Sequence, residues 1–431
     1  MKVRTYLLTS LFLSCSLPFM GQTTPQEMFD DIQKTAGVYY AYPVHNLQPQ
    51  STPPKGYSPF YISHYGRHGS RYLISDMDYK WVIDLFAKAK KSNALTPLGQ
   101  DVYQRLLKIW LEAEGHGGDL TPLGRRQHQG IAQRMYLSYP EVFKNGRQVS
   151  ARSTVVLRCA MSMVAFGDQL KNMNPKLDIY YEASPKYMDY LNFHTDESNC
   201  FTHGETGPWV EEYRKFKEEH TKPDRLMATL FSDKHFIRKQ VNPHQLIWGL
   251  YSIASDMQNM ETQVSFYDLF EKQELLDLWQ CHNYRFYVGN ANHADGKGIV
   301  VANAKALLSN IIESAEQAIS NPEIAANLRF GHDGNVIPLA AILRLNNCNV
   351  AVSAPEEVYK VWSDYKIVPM AGNIQIVFYQ SRTKGQSERY SGKKFLILAS
   401  KKARSIPRSD RPLPSYKRSD VKRFYTEILT Q

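Results

Sequence analysis

Long apolar runs are missing from this chain beyond its first twenty or so residues, and no internal stretch reaches the roughly 18 residues of a spanning helix. Cysteine is scarce, at 5 in 431 residues, and no pair has metal-ligand spacing, so a zinc centre is not expected. Acidic residues are also short, 42 against 52 basic ones, leaving a formal charge of +10. That balance suits a polyanionic partner. No groove-reading motif or basic repeat accompanies it, so it does not point to nucleic acid. What the chain has in quantity is aromatic surface, with 27 tyrosines, 19 phenylalanines and a hydrophobic fraction of 43%. This is the composition of a folded globular protein with one large or two smaller domains.

The exception to the missing apolar runs is the N-terminus. Lys2 and Arg4 precede Tyr6 to Leu13, and Ser14 to Gly21 follow, which is the outline of a secretory signal peptide over residues 1–21. The preferred cleavage is between Gly21 and Gln22, with lipidation at Cys15 as the rival. Export to a periplasm or outer cell surface is the implied location. Cys159, Cys200, Cys281 and Cys348 then remain and allow up to two disulfides in three connectivities. The Lys393–Arg423 stretch carries much of the basic charge and reads as a solvated surface.

Chemistry concentrates in Ser63 to Arg71, where Arg67 and Arg71 flank His68 and glycines stand at Gly66 and Gly69. Two guanidiniums favour the neutral, nucleophilic imidazole, and their planar forks match phosphate oxygens. The glycines admit close approach of a ligand to the backbone. The apolar run Tyr57–Ile62 before this loop reads as a strand, and sites commonly lie at the carboxyl ends of such strands. Arg67-His68-Gly69-Ser70-Arg71 resembles the RHGxR signature of the histidine acid phosphatases, a branch of the histidine phosphatase superfamily. The family pattern is RHGxRxP, and Leu73 stands here at the proline position.

Two further segments carry the resemblance in the family's order. Arg152-Ser153-Thr154 with Arg158 is similar to the RST…R…S segment, which implies Arg158 as a phosphate ligand and Arg152 as a nearby support. Phe330-Gly331-His332-Asp333-Gly334 is similar to the HD motif, in which the histidine contacts phosphate and the aspartate protonates the leaving oxygen. The resemblance thus implies His68 as nucleophile, Asp333 as proton donor, and Arg67, Arg71, Arg158 and His332 as phosphate-binding residues. It implies no cofactor and no metal. Cations crowded around a transferred phosphoryl group match the charge on its three oxygens.

The implied fold is α/β: a phosphoglycerate-mutase-like, doubly wound sheet core with an inserted, mostly helical domain. The core is expected over residues 22–165 and 326–431, and the helical specificity domain over 166–325. Within them, Thr96-Pro97 and Thr121-Pro122 are helix starts with threonine caps. Helices are expected over 207–220, 243–261, 267–280 and 297–318, and strands at 374–379 and 394–398. The expected partner is a small-molecule phosphate ester. The Tyr-Pro-rich approach to the first motif and the Arg158-Cys159 pair favour the multiple inositol polyphosphate phosphatase and phytase group, with phytate as substrate. That group usually carries HAE, whereas His332-Asp333 is the pattern of wider acid phosphatases and many bacterial phytases. A broad or sugar-phosphate acid phosphatase and a non-catalytic phosphoanion binder stay open. Expression of the full chain in a bacterial host is expected to yield a mature protein beginning at Gln22 by intact-mass measurement. A lipid-modified Cys15 at the new N-terminus would overturn that expectation.

Overall fold

The strand that leads into the first motif is longer than its apolar residues announce. In the computed structural model, which describes residues 23–42, 56–345, 348–381, 395–401, 415–417, 425–427 and 429, it runs over Tyr57–Arg67. The signal peptide, Cys15 and most of the Lys393–Arg423 stretch lie outside the described residues. Ser63 to Arg67 were expected in a loop, but they are strand because this segment is hydrogen-bonded on both sides. Its polar members, His64 and Arg67, are buried, and burial rather than polarity decides their conformation.

Among the described residues seven strands form one sheet: β1 (Tyr57–Arg67), β2 (Gln148–Ser153), β3 (Asp178–Ala183), β4 (Ile324–Gly331), β5 (Asn373–Ser381), β6 (Phe395–Lys401) and β7 (Ser415–Lys417). Their order is β3-β2-β4-β1-β5-β6-β7. The first four are mutually parallel, and β5 to β7 continue the sheet antiparallel. Register brings Arg67 opposite Gly331 and Ser153 opposite Phe330, so β1, β2 and β4 finish level at one edge. Everything that follows those three ends is delivered to one place.

Both faces of the sheet are covered, and side chains alternate between them. On one face Ile62, Val149, Ala151, Ala326, Leu328, Phe330, Val377 and Tyr379 pack with the helices Pro122–Ser138 and Leu157–Met173. On the other, Tyr61, Tyr65, Ile374, Ile376 and Phe378 pack with Lys305–Ser320 and Asp333–Ile342. The central parallel strands β1 and β4 are therefore buried on both faces, as crossover connections require.

A third cluster lies apart from the sheet. It joins the helices Met77–Lys91 and Pro97–Ala113 to residues 226–278, through side chains such as Val82, Phe86, Leu106, Leu230, Leu250 and Phe266. The helical side is thus drawn from both stretches of chain rather than from 166–325 alone, and β3, inside that stretch, belongs to the sheet. That strand is partly exposed, with Tyr180 at 55% and Tyr181 at 39%, and it lacks the apolar run of its neighbours. The expected helices appear as Pro208–His220, Pro243–Asp256, Lys272–Asn290 and Lys305–Ser320, with short 3-10 segments or breaks where longer ones were expected. Among the described residues no helix is long and apolar enough to cross a membrane. Cys159, Cys200 and Cys281 are free thiols, so none of the three disulfide connectivities forms.

The loop after β1 touches the start of Pro122–Ser138 backbone to backbone. Thr121 caps this helix by accepting from the Gly124 N–H, with Pro122 at its first position. A Cβ on Gly69 would lie 2.5 Å from the Gly124 carbonyl oxygen, and one on Gly124 would lie 2.8 Å from the Ser70 nitrogen. Because both neighbours are backbone, neither can yield as a flexible side chain would. Gly124→Ala is expected to destabilise the protein by roughly 1–3 kcal/mol, the range of overpacking changes, in urea denaturation; an unchanged midpoint would show that the contact is slack.

Candidate active site

Three chain segments deliver charged side chains to the common edge. β1 ends on Arg67 and is followed by His68 and Arg71. β2 leads through Thr154 to Arg158 in the first turn of Leu157–Met173. β4 leads to His332, the N-cap of the helix Asp333–Ile342, and to Asp333. Two helices thus start at this edge, and their amino ends favour negative charge there.

Arg67 is fully buried. Its Nη1 donates to the carbonyl oxygens of Val38 and Val368, the latter at 2.8 Å. Its Nη2 lies 2.7 Å from Asp333 Oδ2. The His68 backbone N–H donates to the Gly331 carbonyl and its own carbonyl accepts from Ala371, each at 2.9 Å, so the nucleophile candidate is held from both sides. His68 Nδ1 lies 2.9 Å from the Gly69 carbonyl. A carbonyl only accepts, which assigns the proton to Nδ1 and leaves the Nε2 lone pair free. The His68 and His332 rings meet edge to face at 5.9 Å.

Burial, joined by the charges of Arg67, Arg71 and Arg158, holds the His68 imidazole well below its ordinary pKa. Burial likewise lowers His332 to about 4, against the pull of Asp333. For Asp333 burial acts upward, but Arg67, His332 and Arg71 outweigh it and leave its carboxyl below the ordinary value. Arg71 donates to the Tyr72 carbonyl at 2.8 Å and to the Tyr39 hydroxyl at 3.2 Å. Among the described residues, the buried Nε atoms of Arg67, Arg71 and Arg158 find no hydrogen-bond acceptor. Guanidinium N–H groups left this way are what an incoming oxyanion would satisfy.

The structure therefore gathers Arg67, His68, Arg71, Arg158, His332 and Asp333, which are spread over some 270 residues of sequence. Arg152 is placed elsewhere: it pairs with Glu182 on β3 at 2.8 Å and lies over the Tyr187 ring, away from the cluster. Sequence reading missed Tyr39, whose ring lies 4.8 Å from the Arg71 guanidinium. It also missed Thr154, 3.3 Å from His332 Nε2, and Ser162, which accepts the Gly69 N–H at 3.1 Å. Thr154 and Ser162 stood inside the quoted RST…R…S segment, and that was their signal. Tyr39 had none.

A sheet edge of this kind, with a free imidazole nitrogen ringed by arginines and a carboxylate alongside, is a candidate anion site on an α/β fold. The family model for the histidine phosphatase superfamily (branch 2) matches residues 66–393, and the chain belongs to that family. Among solved structures, the Bifidobacterium longum multiple inositol polyphosphate phosphatase in complex with phosphate is similar over 92% of this chain and 98% of its own, at 17% identity and a TM-score of 0.76. The same enzyme with inositol hexasulfate gives 16% identity and 0.73, over 90% and 97% of the two chains. The phytase from D. castellii gives 14% and 0.65, over 92% and 85%. At these identities the likeness establishes the fold. No curated protein sequence matches the chain significantly.

Behind the site, His64 and His128 are buried against Phe166 and Phe330. Burial lowers each to about 3. With His332 they bind protons in the unfolded chain near its ordinary value of roughly 6.5, but in the folded one only near 3 to 4. The unfolded state thus holds more protons across this window, and stability falls as pH drops through it. Each such histidine contributes a slope of about 1.4 kcal/mol per pH unit. Urea midpoints are expected to fall between pH 6 and 4.5, and His64→Leu should flatten the decline by about one proton. An unaltered slope in that variant would rule His64 out as a source.

Proposed function

We propose that the protein is an exported phosphomonoesterase that acts through a phosphohistidine and takes inositol polyphosphates such as phytate. The observation that carries the reading is His68 itself, whose Nε2 is left free by the Gly69 carbonyl inside a ring of arginines. In the first step Nε2 attacks phosphorus and the ester P–O bond breaks. Arg67, Arg71, Arg158 and His332 hold the phosphoryl oxygens as charge develops on them. Asp333 gives its proton to the departing alkoxide, then takes one from the water that attacks the phosphohistidine. Cleavage of the P–N bond releases phosphate and restores neutral His68.

Arg67 and Asp333 are partners. A bound phosphate offers Arg67 a stronger anion and sets its own charge beside Asp333, which favours the protonated carboxyl the first step needs. The low pKa of His68 keeps the nucleophile neutral in acid, so an acidic optimum follows without a metal ion. Support for the inositol reading comes from the neighbours, whose structures carry phosphate and inositol hexasulfate on the same fold. The cationic surroundings of His68 add to it, because a substrate with several phosphates meets more than one of those charges.

Purified mature protein is expected to release phosphate from phytate faster than from glucose 1-phosphate or a chromogenic aryl phosphate. A preference for the latter two would favour a broad acid phosphatase, and no release from any of them a binding protein. His68→Ala should abolish turnover, and retained activity would sink the phosphohistidine. Asp333→Asn should slow poor leaving groups most, leave aryl phosphates least affected, and remove the alkaline limb of the kcat profile. Equal slowing of all substrates would reassign the proton donor.

A further inference from the structure

Arg71 is bracketed by a buried polar network that comes from the helical side of the molecule. The helix Pro243–Asp256 ends in Asp256 and runs on as a 3-10 turn, Met257–Asn259. Asp256 and Asn259 are both fully buried. Asn259 Oδ1 accepts the Ser70 hydroxyl at 2.7 Å, and its Nδ2 donates to the Tyr39 carbonyl at 2.9 Å. Asp256 Oδ1 lies 3.4 Å from that same Nδ2, and its Oδ2 accepts from the Tyr79 hydroxyl. Tyr79 in turn accepts the Leu73 N–H at 2.9 Å.

These ties reach the residue before Arg71, the residue two after it, and the tyrosine whose hydroxyl and ring meet its guanidinium. Gln127 completes the grip on Ser70 by accepting its N–H at 2.8 Å and donating to its hydroxyl at 2.9 Å. The Leu73 tie exists because residue 73 departs from the RHGxRxP pattern: proline has no N–H to give. Keeping a carboxyl in this apolar setting is costly, and burial pushes Asp256 up to about 7 even with Tyr79, Arg71 and Asn259 beside it. An apolar side chain in place of Asp256 would fill the space at less cost, but it would leave the Tyr79 hydroxyl without its acceptor, just as one in place of Asn259 would strand the Ser70 hydroxyl.

We infer that Asn259 and Asp256 are positioning residues that hold Arg71 in place for the phosphoryl group, so that the phosphate clamp depends on the packing of the helical side against the sheet edge. The inference rests on the phosphatase reading for Arg71. A side chain that acts only through Arg71 has a specific signature, because its removal costs nothing once Arg71 is gone.

The test is a double-mutant cycle on the mature protein with Asn259→Leu, Arg71→Ala and the pair, read by kcat/KM on an aryl phosphate and by the Kd for inorganic phosphate. Asn259→Leu alone is expected to lower kcat/KM by roughly 10- to 100-fold, as misplacement of a clamp does, and to weaken phosphate binding. In the Arg71→Ala background it should change neither. Additive losses, or full activity in Asn259→Leu, would overturn the inference. If Asn259→Leu does not fold, Ser70→Ala removes the same hydrogen bond from the loop side and runs the same cycle. Should the wild-type protein bind phosphate but turn nothing over, the phosphatase reading fails while the Kd cycle still decides this one.

Discussion

The buried guanidinium of Arg67 is the constraint on which the rest of the structure depends. It has no exposure to water, and a charge so placed is tolerated only with good partners. Those partners are the Val38 carbonyl from the N-terminal segment, the Val368 carbonyl from the segment before β5, and the Asp333 carboxylate after β4. Satisfying one side chain therefore draws three remote parts of the chain to the end of β1. The level finish of β1, β2 and β4 provides the edge where they can meet.

Once Arg67 is there, the electrostatics of the neighbourhood follow. Arg71 and Arg158 add positive charge around His68, and burial removes the water that would screen it. That setting disfavours an imidazolium, and in the neutral ring the Gly69 carbonyl decides which nitrogen keeps the proton. Asp333 is the one carboxylate among these groups that pairs with Arg67, and it offsets part of their positive charge. A phosphate ester entering the pocket would displace that arrangement instead of building a new one.

The helical side contributes more than a cover. Its cluster joins the helices after β1 to those of residues 226–278. The turn at Asp256–Asn259 brings that packing into hydrogen-bond contact with Ser70 and Tyr39. Sheet and helices thus meet at the loop after β1, where a small shift in either would be felt by Arg71.

The sequence by itself determined the family, the candidate site residues and much of the framework. Arg67-His68-Gly69-Ser70-Arg71, Arg158 and His332-Asp333 were legible because reactive side chains at motif spacing need no partner to be recognised, and Thr121-Pro122 was legible because a helix cap is a local interaction. What only the tertiary structure decided is everything that rests on distant neighbours. The continuation of β1 through His64 to Arg67 comes from pairing on both sides, and β3 comes from an edge position without an apolar run. Arg152 went to Glu182 instead of the pocket because the parallel register of β2 and β3 sets those two residues side by side. Tyr39, Asn259 and Asp256 carry no local signal, since hydrogen bonds across 177 to 220 residues leave no pattern in the residues near any one of them.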